Sequence, residues 1–306
     1  MARPILKWAG GKGQLLEELH ARFPASYDRY HEPFFGGGAL FFDLEPADGT
    51  INDTNTRLIN FYRQVRDNPT ALIARCREFE HPESDPDENL DYAGANHKGK
   101  EIKHYYYQQR ARFNKRPYGE EFDELEEAAL LLYLNRTCYN GLYRENSSGG
   151  FNVPIGRYTN PDWVRAEEVR EASEVLEDVE IYNEDFEYIL EVASEDDLVY
   201  FDPPYEPMSA TAYFTDYSAE GFGKQDQERL LEVAKGLDRR GVFVILSNSG
   251  VMYEMYDEAD FYVEIEGATR AINSDADNRG EVEEIIATNV PPGQRRQVGQ
   301  QGLADF

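Results

Sequence analysis

Leu198-Val199-Tyr200-Phe201-Asp202-Pro203-Pro204-Tyr205 is the stretch on which the fold of this chain turns. An unbroken apolar run of β-branched and aromatic residues matches a strand buried on both faces, as strands of parallel sheets are. It ends on a carboxylate, after which the two prolines fix the backbone and remove N–H donors. In an open α/β sheet the loops past the strand C-termini build the site. A planar amino group fits between the Asp202 carboxylate and the Pro203 carbonyl. Tyr205 then offers a flat face on which a base can stack. The plain alternative is a rigid turn followed by a surface tyrosine.

Outward from this strand the α/β rhythm continues. Toward the C-terminus, 225–237 has helical periodicity, and Val242-Phe243-Val244-Ile245-Leu246 is a second buried strand. Residues 281–287 are expected to pair at the sheet edge, and 291–306 to form a frayed, flexible tail. Toward the N-terminus, 179–182 reads as a strand. Asp185 after it either holds the edge of an adenine or caps a helix before Phe186. Earlier still, Tyr30-His31-Glu32-Pro33-Phe34-Phe35 runs into Gly36-Gly37-Gly38 and a helix at 39–44. Thr50-Ile51-Asn52-Asp53 is a short strand ending on an acid. A helix at 55–66 is stopped by Asp67-Asn68-Pro69.

From about 70 to 160 the character changes, and tyrosine, arginine and asparagine concentrate. Residues 82–99 read as a polar loop or insertion, 128–134 as a buried helix, and 139–158 as a hairpin or ordered loops. The simplest architecture is one doubly wound α/β sheet from 1–59 and 164–290, interrupted by a mostly helical inserted domain at 60–163.

Several further residues carry chemistry. The loop through Phe34, Gly36 and Gly38 lets a ligand approach the backbone, although a plain tight turn would look the same. It is not a dinucleotide fingerprint, because Phe41 stands where a third glycine would fall. Asp53, at the end of the next strand, is placed to accept hydrogen bonds from ribose hydroxyls. Lys7-Trp8-Ala9-Gly10-Gly11-Lys12 is either a buried start strand and turn, or a cofactor-side loop with Trp8 as a lid and Lys12 near a carboxylate.

Composition bounds the partners. Hydrophobic residues make up 41% of the 306, enough for a sizeable core. No apolar run reaches membrane-spanning length, the N-terminus turns polar too soon for a signal peptide, and a cytoplasmic location is expected. Cys76 and Cys138 form no disulfide framework, and no Cys/His cluster points to a metal. The net charge of −28 argues by itself against nucleic acid. However, the acids are dispersed and only 8 lysines stand against 23 arginines. That balance fits a cytoplasm of molar salt, where screening is effective within about 3 Å, or an ordinary solvated acidic surface.

The motifs form an ordered set: Lys7 to Lys12, Glu32-Pro33-Phe34 with its glycines, Asn52-Asp53, Asn135-Arg136, Tyr139-Asn140-Gly141-Leu142, Phe151-Asn152-Val153-Pro154, Gly156-Arg157-Tyr158 and Asp202-Pro203-Pro204-Tyr205. Over roughly residues 3–290 this set resembles the Dam-type DNA adenine methyltransferases, the D12 class, in the α arrangement of cofactor loop, recognition insert and catalytic loop. The resemblance implies a Rossmann-like methyltransferase sheet. It also implies S-adenosylmethionine contacts at Trp8, Lys12, Asp53 and Asp202, and a target-recognition role for the insert. Lys7, Tyr139, Asn140, Leu142, Arg144, Pro154 and Arg157 match the family's DNA-contacting positions, and this branch methylates GATC. The expected partner is double-stranded DNA, met by a monomer working alone or beside a cognate restriction endonuclease. The chain departs from the pattern in apparent extra sequence at 89–103 and in an uncharged tip at Ser147-Ser148-Gly149. Rival readings weigh less. An RNA or protein-amide methyltransferase does not need the Arg/Tyr-bearing insert, an inactive DNA-binding regulator does not need Asp202 and Asp53, and an oxidoreductase would want glycine at Phe41.

Overall fold

The computed structural model describes residues 2–79, 97–158, 160–204, 222–269 and 281–296. Its strands are β1 (Tyr30–Glu32), β2 (Gly49–Asn52), β3 (Val179–Tyr182), β4 (Leu198–Phe201), β5 (Phe243–Ser249), β6 (Tyr262–Thr269) and β7 (Glu281–Thr288). They form one seven-stranded sheet in the order β3-β2-β1-β4-β5-β7-β6. β1 lies parallel to β2 and β4, β4 parallel to β5, and β7 antiparallel to β5 and β6. The fold is Rossmann-like and doubly wound. Chain order runs outward from β1 through β2 to β3 on one side and from β4 to β5 on the other. The reversal between β1 and β4 is where such sheets place their ligands, and the loops leaving it begin at Pro33 and Asp202.

The helices are α1 (Leu16–Ala21), α2 (Ala39–Leu44), α3 (Thr56–Asp67), α4 (Pro69–Arg77), α5 (His97–Phe113), α6 (Glu124–Thr137), α7 (Ala166–Val175), α8 (Ile189–Val192), α9 (Lys224–Asp238) and α10 (Tyr253–Asp257). The chain divides into two compact units: 1–11, 36–45 and 55–181 form one, and 12–35, 46–54 and 182–306 the other. In the second, α9 turns Leu230, Val233, Ala234 and Leu237 to one side at helical spacing. These share a buried core with Val199 and Phe201 of β4, Val244 and Leu246 of β5, and Ile285 and Ala287 of β7. The helical unit is centred on α6, which is buried on every side from Ala128 to Asn135. Helix α3 starts where Asn55 accepts from the N–H groups of Arg57 and Leu58, both at 3.1 Å. This unit contains the expected insert but reaches wider, taking in 1–11 and 36–45.

Four details add to the sequence expectation or differ from it. Strand β7 lies inside the sheet and β6 is the edge. Ile285, Ile286 and Ala287 are consecutive and all buried, so β7 is covered on both faces. Strand β6 was not anticipated; as an edge strand it leaves Tyr262 and Ile265, on opposite faces, 44% and 54% exposed. Pro69 opens helix α4 at its first position, where its missing N–H is harmless. The expected tail is anchored as far as Arg296, whose N–H donates to the Phe23 carbonyl at 2.7 Å, while Arg295 Nη1 meets Glu264 Oε1 at 2.6 Å. Residues 297–306 lie outside the described residues, as do 80–96, which include 89–96 of the apparent extra sequence; its remainder, 97–103, opens helix α5.

Candidate active site

Strand β4 is buried at every position and delivers Asp202 to the end of the sheet. Asp202 Oδ1 accepts from Ser247 Oγ of β5 at 2.8 Å. Lys12 Nζ lies 3.2 Å from the same oxygen and 3.8 Å from Glu284 Oε2 of β7. Lys12 is buried, and taking an ammonium out of water costs several kcal/mol unless opposite charge surrounds it. The two carboxylates meet that condition. The expectation of Lys12 near a carboxylate thus has a concrete form, and the partner is Asp202. Pro203 is buried and Pro204 exposed. Tyr205 lies outside the described residues.

The loop leaving β1 is held by Asn52. Its Nδ2 donates to the carbonyls of Pro33 and Glu184, each at 3.0 Å, and its Oδ1 accepts from Glu184 N–H at 2.8 Å. One buried amide therefore ties the exits of β1, β2 and β3. Half-buried Asp53 follows, its carbonyl accepting from Asn183 at 2.7 Å. Phe34 stands in an aromatic group with Phe186, Phe201 and Phe222, ring centroids 5.3, 6.2 and 5.4 Å away. Asp185 is the cap of the turn at Phe186–Tyr188: its Oδ1 accepts from Glu187 N–H at 3.0 Å and pairs with Arg229 at 2.9 Å. The capping alternative is thus what these contacts provide.

Trp8 packs on the glycine loop inside the helical unit. A Cβ at Gly36, where φ is +49°, would come within 2.9 Å of the indole, and one at Gly37 equally close to the Trp8 Cβ. Gly38, with φ +65°, is the left-handed residue ahead of α2. Trp8 also stacks on Tyr143, centroids 5.0 Å apart and planes at 27°.

The segment 135–158, which contains the stretch 139–158 expected as a hairpin or ordered loops, has little regular structure past the end of α6 at Thr137. Two bridges, Cys138 to Ile155 and Glu145 to Phe151, and a short turn at Tyr139–Gly141 define it. Buried side chains hold the rest. Asn135 accepts from Lys7 N–H and donates to the Lys7 carbonyl, both at 2.8 Å, and donates to the Gly141 carbonyl at 3.2 Å. Asn114 brackets Phe151 in the same way, accepting at 2.9 Å and donating at 3.0 Å, and Arg57 donates to the Gly149 carbonyl at 2.9 Å. The Lys7 ammonium donates to Tyr158 OH at 3.3 Å and sits 4.7 Å over its ring. Tyr139, Asn140, Arg144, Pro154 and Arg157 are exposed and Leu142 is half-buried. Asn140 takes the left-handed conformation at φ 54°, and Arg144 Nε donates to Asn152 at 2.7 Å. Lys7 and these residues belong to one unit. Sequence reading named the exposed residues but not the supports Asn114, Arg57 and Ser247, and gave no role to Asn52 or Asn135. A buried polar residue is indistinguishable from a surface one until the fold places it.

Burial pushes the thiols of Cys76 and Cys138 up to about 12, so both are neutral at physiological pH. Among the described residues no group of three or more His, Cys, Asp and Glu could hold a metal, and no helix is long and apolar enough to cross a membrane.

Comparison with known proteins agrees with this geometry. The family model for D12 class N6 adenine-specific DNA methyltransferases matches residues 8–272. The type II methyltransferase M1.LlaDCHI of Lactococcus lactis subsp. cremoris is 42% identical over 94% of this chain and 95% of its own length. The type II methyltransferase M.MjaIII of Methanocaldococcus jannaschii is 36% identical over 94% and 99%. The DNA adenine methylase of Escherichia coli K12 is 35% identical over 94% and 96%. The parallel sheet that ends β4 on Asp202, the order of loops along the chain and likeness along nearly its whole length converge: the chain belongs to the D12 class of N6 adenine-specific DNA methyltransferases.

Proposed function

We propose that this methyltransferase uses S-adenosylmethionine, targets the adenine of GATC in duplex DNA, and engages the reacting amino group through Asp202 and the Pro203 carbonyl. The observation that carries the chemistry is the Asp202 carboxylate, fixed at the end of a buried strand by Ser247 at 2.8 Å and Lys12 at 3.2 Å.

The target adenine leaves the base stack to reach such a site. Its N6 is a poor nucleophile because the lone pair is conjugated into the ring. Hydrogen bonds from the amino group to Asp202 and to the Pro203 carbonyl draw the nitrogen toward a tetrahedral shape and free the lone pair. Tyr205 stacks on the extruded ring, and Pro204 stiffens the loop between them. S-adenosylmethionine would supply the sulfonium methyl and leave as the thioether, N6 giving up one proton to solvent, and holding both reactants in line would provide much of the acceleration. The residues of the sheet unit fit that donor. Asp53 suits ribose hydroxyls and the aromatic group around Phe34 an adenine face, while Lys12 serves by fixing Asp202. Trp8, Gly36 and Gly38 keep the cofactor-side role that the family pattern implies.

Residues 60–163 are assigned to target recognition and 1–59 with 164–290 to catalysis. Lys7, Arg144 and Arg157 suit the O6 and N7 of guanine, and Leu142 and Pro154 a thymine methyl. Tyr139 wedges where the adenine leaves, and Asn140 attends the orphaned thymine. The enzyme is assigned to a salt-rich cytoplasm, acting as a monomer. Modified-base sequencing of a host genome expressing the gene tests the target. N6-methyladenine concentrated in GATC is the expected outcome; unmodified GATC beside another methylated motif defeats the specificity and leaves the chemistry intact.

A further inference from the structure

The catalytic carboxylate has a support that no motif of the sequence contains. β4 and β5 run parallel with Tyr200 beside Ile245 and Phe201 beside Leu246. One step further the register sets Asp202 beside Ser247. Side chains alternate along a strand, so Tyr200 and Asp202 share a face, and Ser247 shares it with Ile245. The contacts follow that geometry: Ser247 Oγ lies 2.8 Å from Asp202 Oδ1 and 2.8 Å from the Tyr200 hydroxyl. Tyr200 and Ser247 are both buried. Serine carries a single hydroxyl proton and an ionised carboxylate donates none. With that proton on the bond to Asp202, the Tyr200 hydroxyl must donate to Ser247. The bonds all point one way, from Tyr200 to Ser247 to Asp202, and each polarises the next.

We infer that Ser247, oriented by Tyr200, is a positioning residue that sets the rotation of the Asp202 carboxylate for the amino group of the target base. This rests on the reading of Asp202 given above. A carboxylate on a single-bonded stem turns broadly about its last torsion. Lys12, a point charge on a flexible chain, fixes distance better than direction. A hydroxyl on the neighbouring strand fixes direction, because the sheet itself holds both ends. Functional groups tolerate roughly 10–20° of misalignment before rate suffers, so losing this bond should be felt in the chemical step.

The test is single-turnover methyl transfer from tritiated S-adenosylmethionine to unmethylated plasmid DNA, with S247A, S247T, Y200F and D202A measured beside wild type. Loss of a hydrogen bond to a charged group predicts that S247A lowers the rate constant at saturation by about 10–100-fold. Cofactor and DNA dissociation constants should stay within about threefold of wild type, since the bond orients rather than binds. S247T keeps the hydroxyl and should recover to within about threefold; Y200F should fall less than S247A. An S247A enzyme at the wild-type rate overturns the inference, as does an S247T enzyme no better than S247A, which would mark a packing effect. Should S247A melt below the assay temperature, Y200F decides: it keeps the ring, and a wild-type rate in it overturns the inference. D202A separates the levels. If it keeps its rate, the reading of Asp202 falls and takes this one with it. If it is inactive while S247A is normal, only the positioning role falls.

Discussion

Asp202 and the recognition segment 135–158 are held in place by opposite means. Asp202 ends a strand hydrogen-bonded on both sides within a parallel sheet, and strand register sets its neighbours. The recognition segment has two bridges and one short turn, and its shape depends on Asn135, Asn114 and Arg57 bonding individual backbone groups. The lesson is physical. Chemistry that tolerates little misalignment sits on a rigid element. A surface that reads base edges needs exposed side chains on irregular backbone, and buried polar staples keep that backbone in one conformation.

The comparison can be broken most directly at Asp202. Asp202→Ala should lower methyl transfer by about 10³-fold, the upper range for losing a preorganised group at a reacting centre, and should also lower the melting temperature, because the buried Lys12 ammonium loses one of its two carboxylates. A near-normal single-turnover rate would show that the rigid end of the sheet is not where the chemistry lies. Asp53→Ala tests the other acid on this sheet. Loss of a charge-assisted hydrogen-bond pair should weaken S-adenosylmethionine binding by about 1.5–3 kcal/mol; unchanged affinity by calorimetry removes Asp53 from the cofactor site.

On the recognition side, two variants should part company. Arg144→Ala removes an exposed reader and should relax discrimination at a guanine by about 1–3 kcal/mol without lowering stability. Asn135→Ala removes a staple, leaving the buried N–H and carbonyl of Lys7 unmatched. It should cost about 1–3 kcal/mol of stability and weaken DNA binding on every sequence alike. Melting curves and binding to matched and mismatched duplexes check both. If Asn135→Ala altered sequence preference with stability intact, reader and staple would not be distinct. The smallest effect per charge concerns both regions together. With a net charge of −28, melting temperature should rise from dilute buffer to molar potassium chloride as self-repulsion is screened. A flat or falling curve contradicts the reading of a salt-adapted chain.

The sequence by itself determined the elements whose signal is local. The runs 198–201 and 242–246 read as buried strands because parallel strands, covered on both faces, are apolar at successive positions. Asp202 and Asp53 were legible because acids directly after such strands stand at sheet ends. The family's motif order supplied the exposed residues proposed to face DNA. What it could not determine was anything decided by a partner distant in the chain. β7 read as an edge because nothing local shows that β6 will pair along its outer side. Asp185 carried two readings, and only Glu187 and Arg229 beside it made it a cap. Lys12 had an unnamed carboxylate until folding brought it to Asp202, 190 residues on, with Glu284 behind it. Asn52 and Asn135 stood in motifs with no role attached and Ser247 gave no signal, because an amide or hydroxyl becomes a staple only when burial excludes water and leaves one partner in reach. That exclusion is a property of the packed tertiary structure, and it made these unremarkable polar residues the supports of the site.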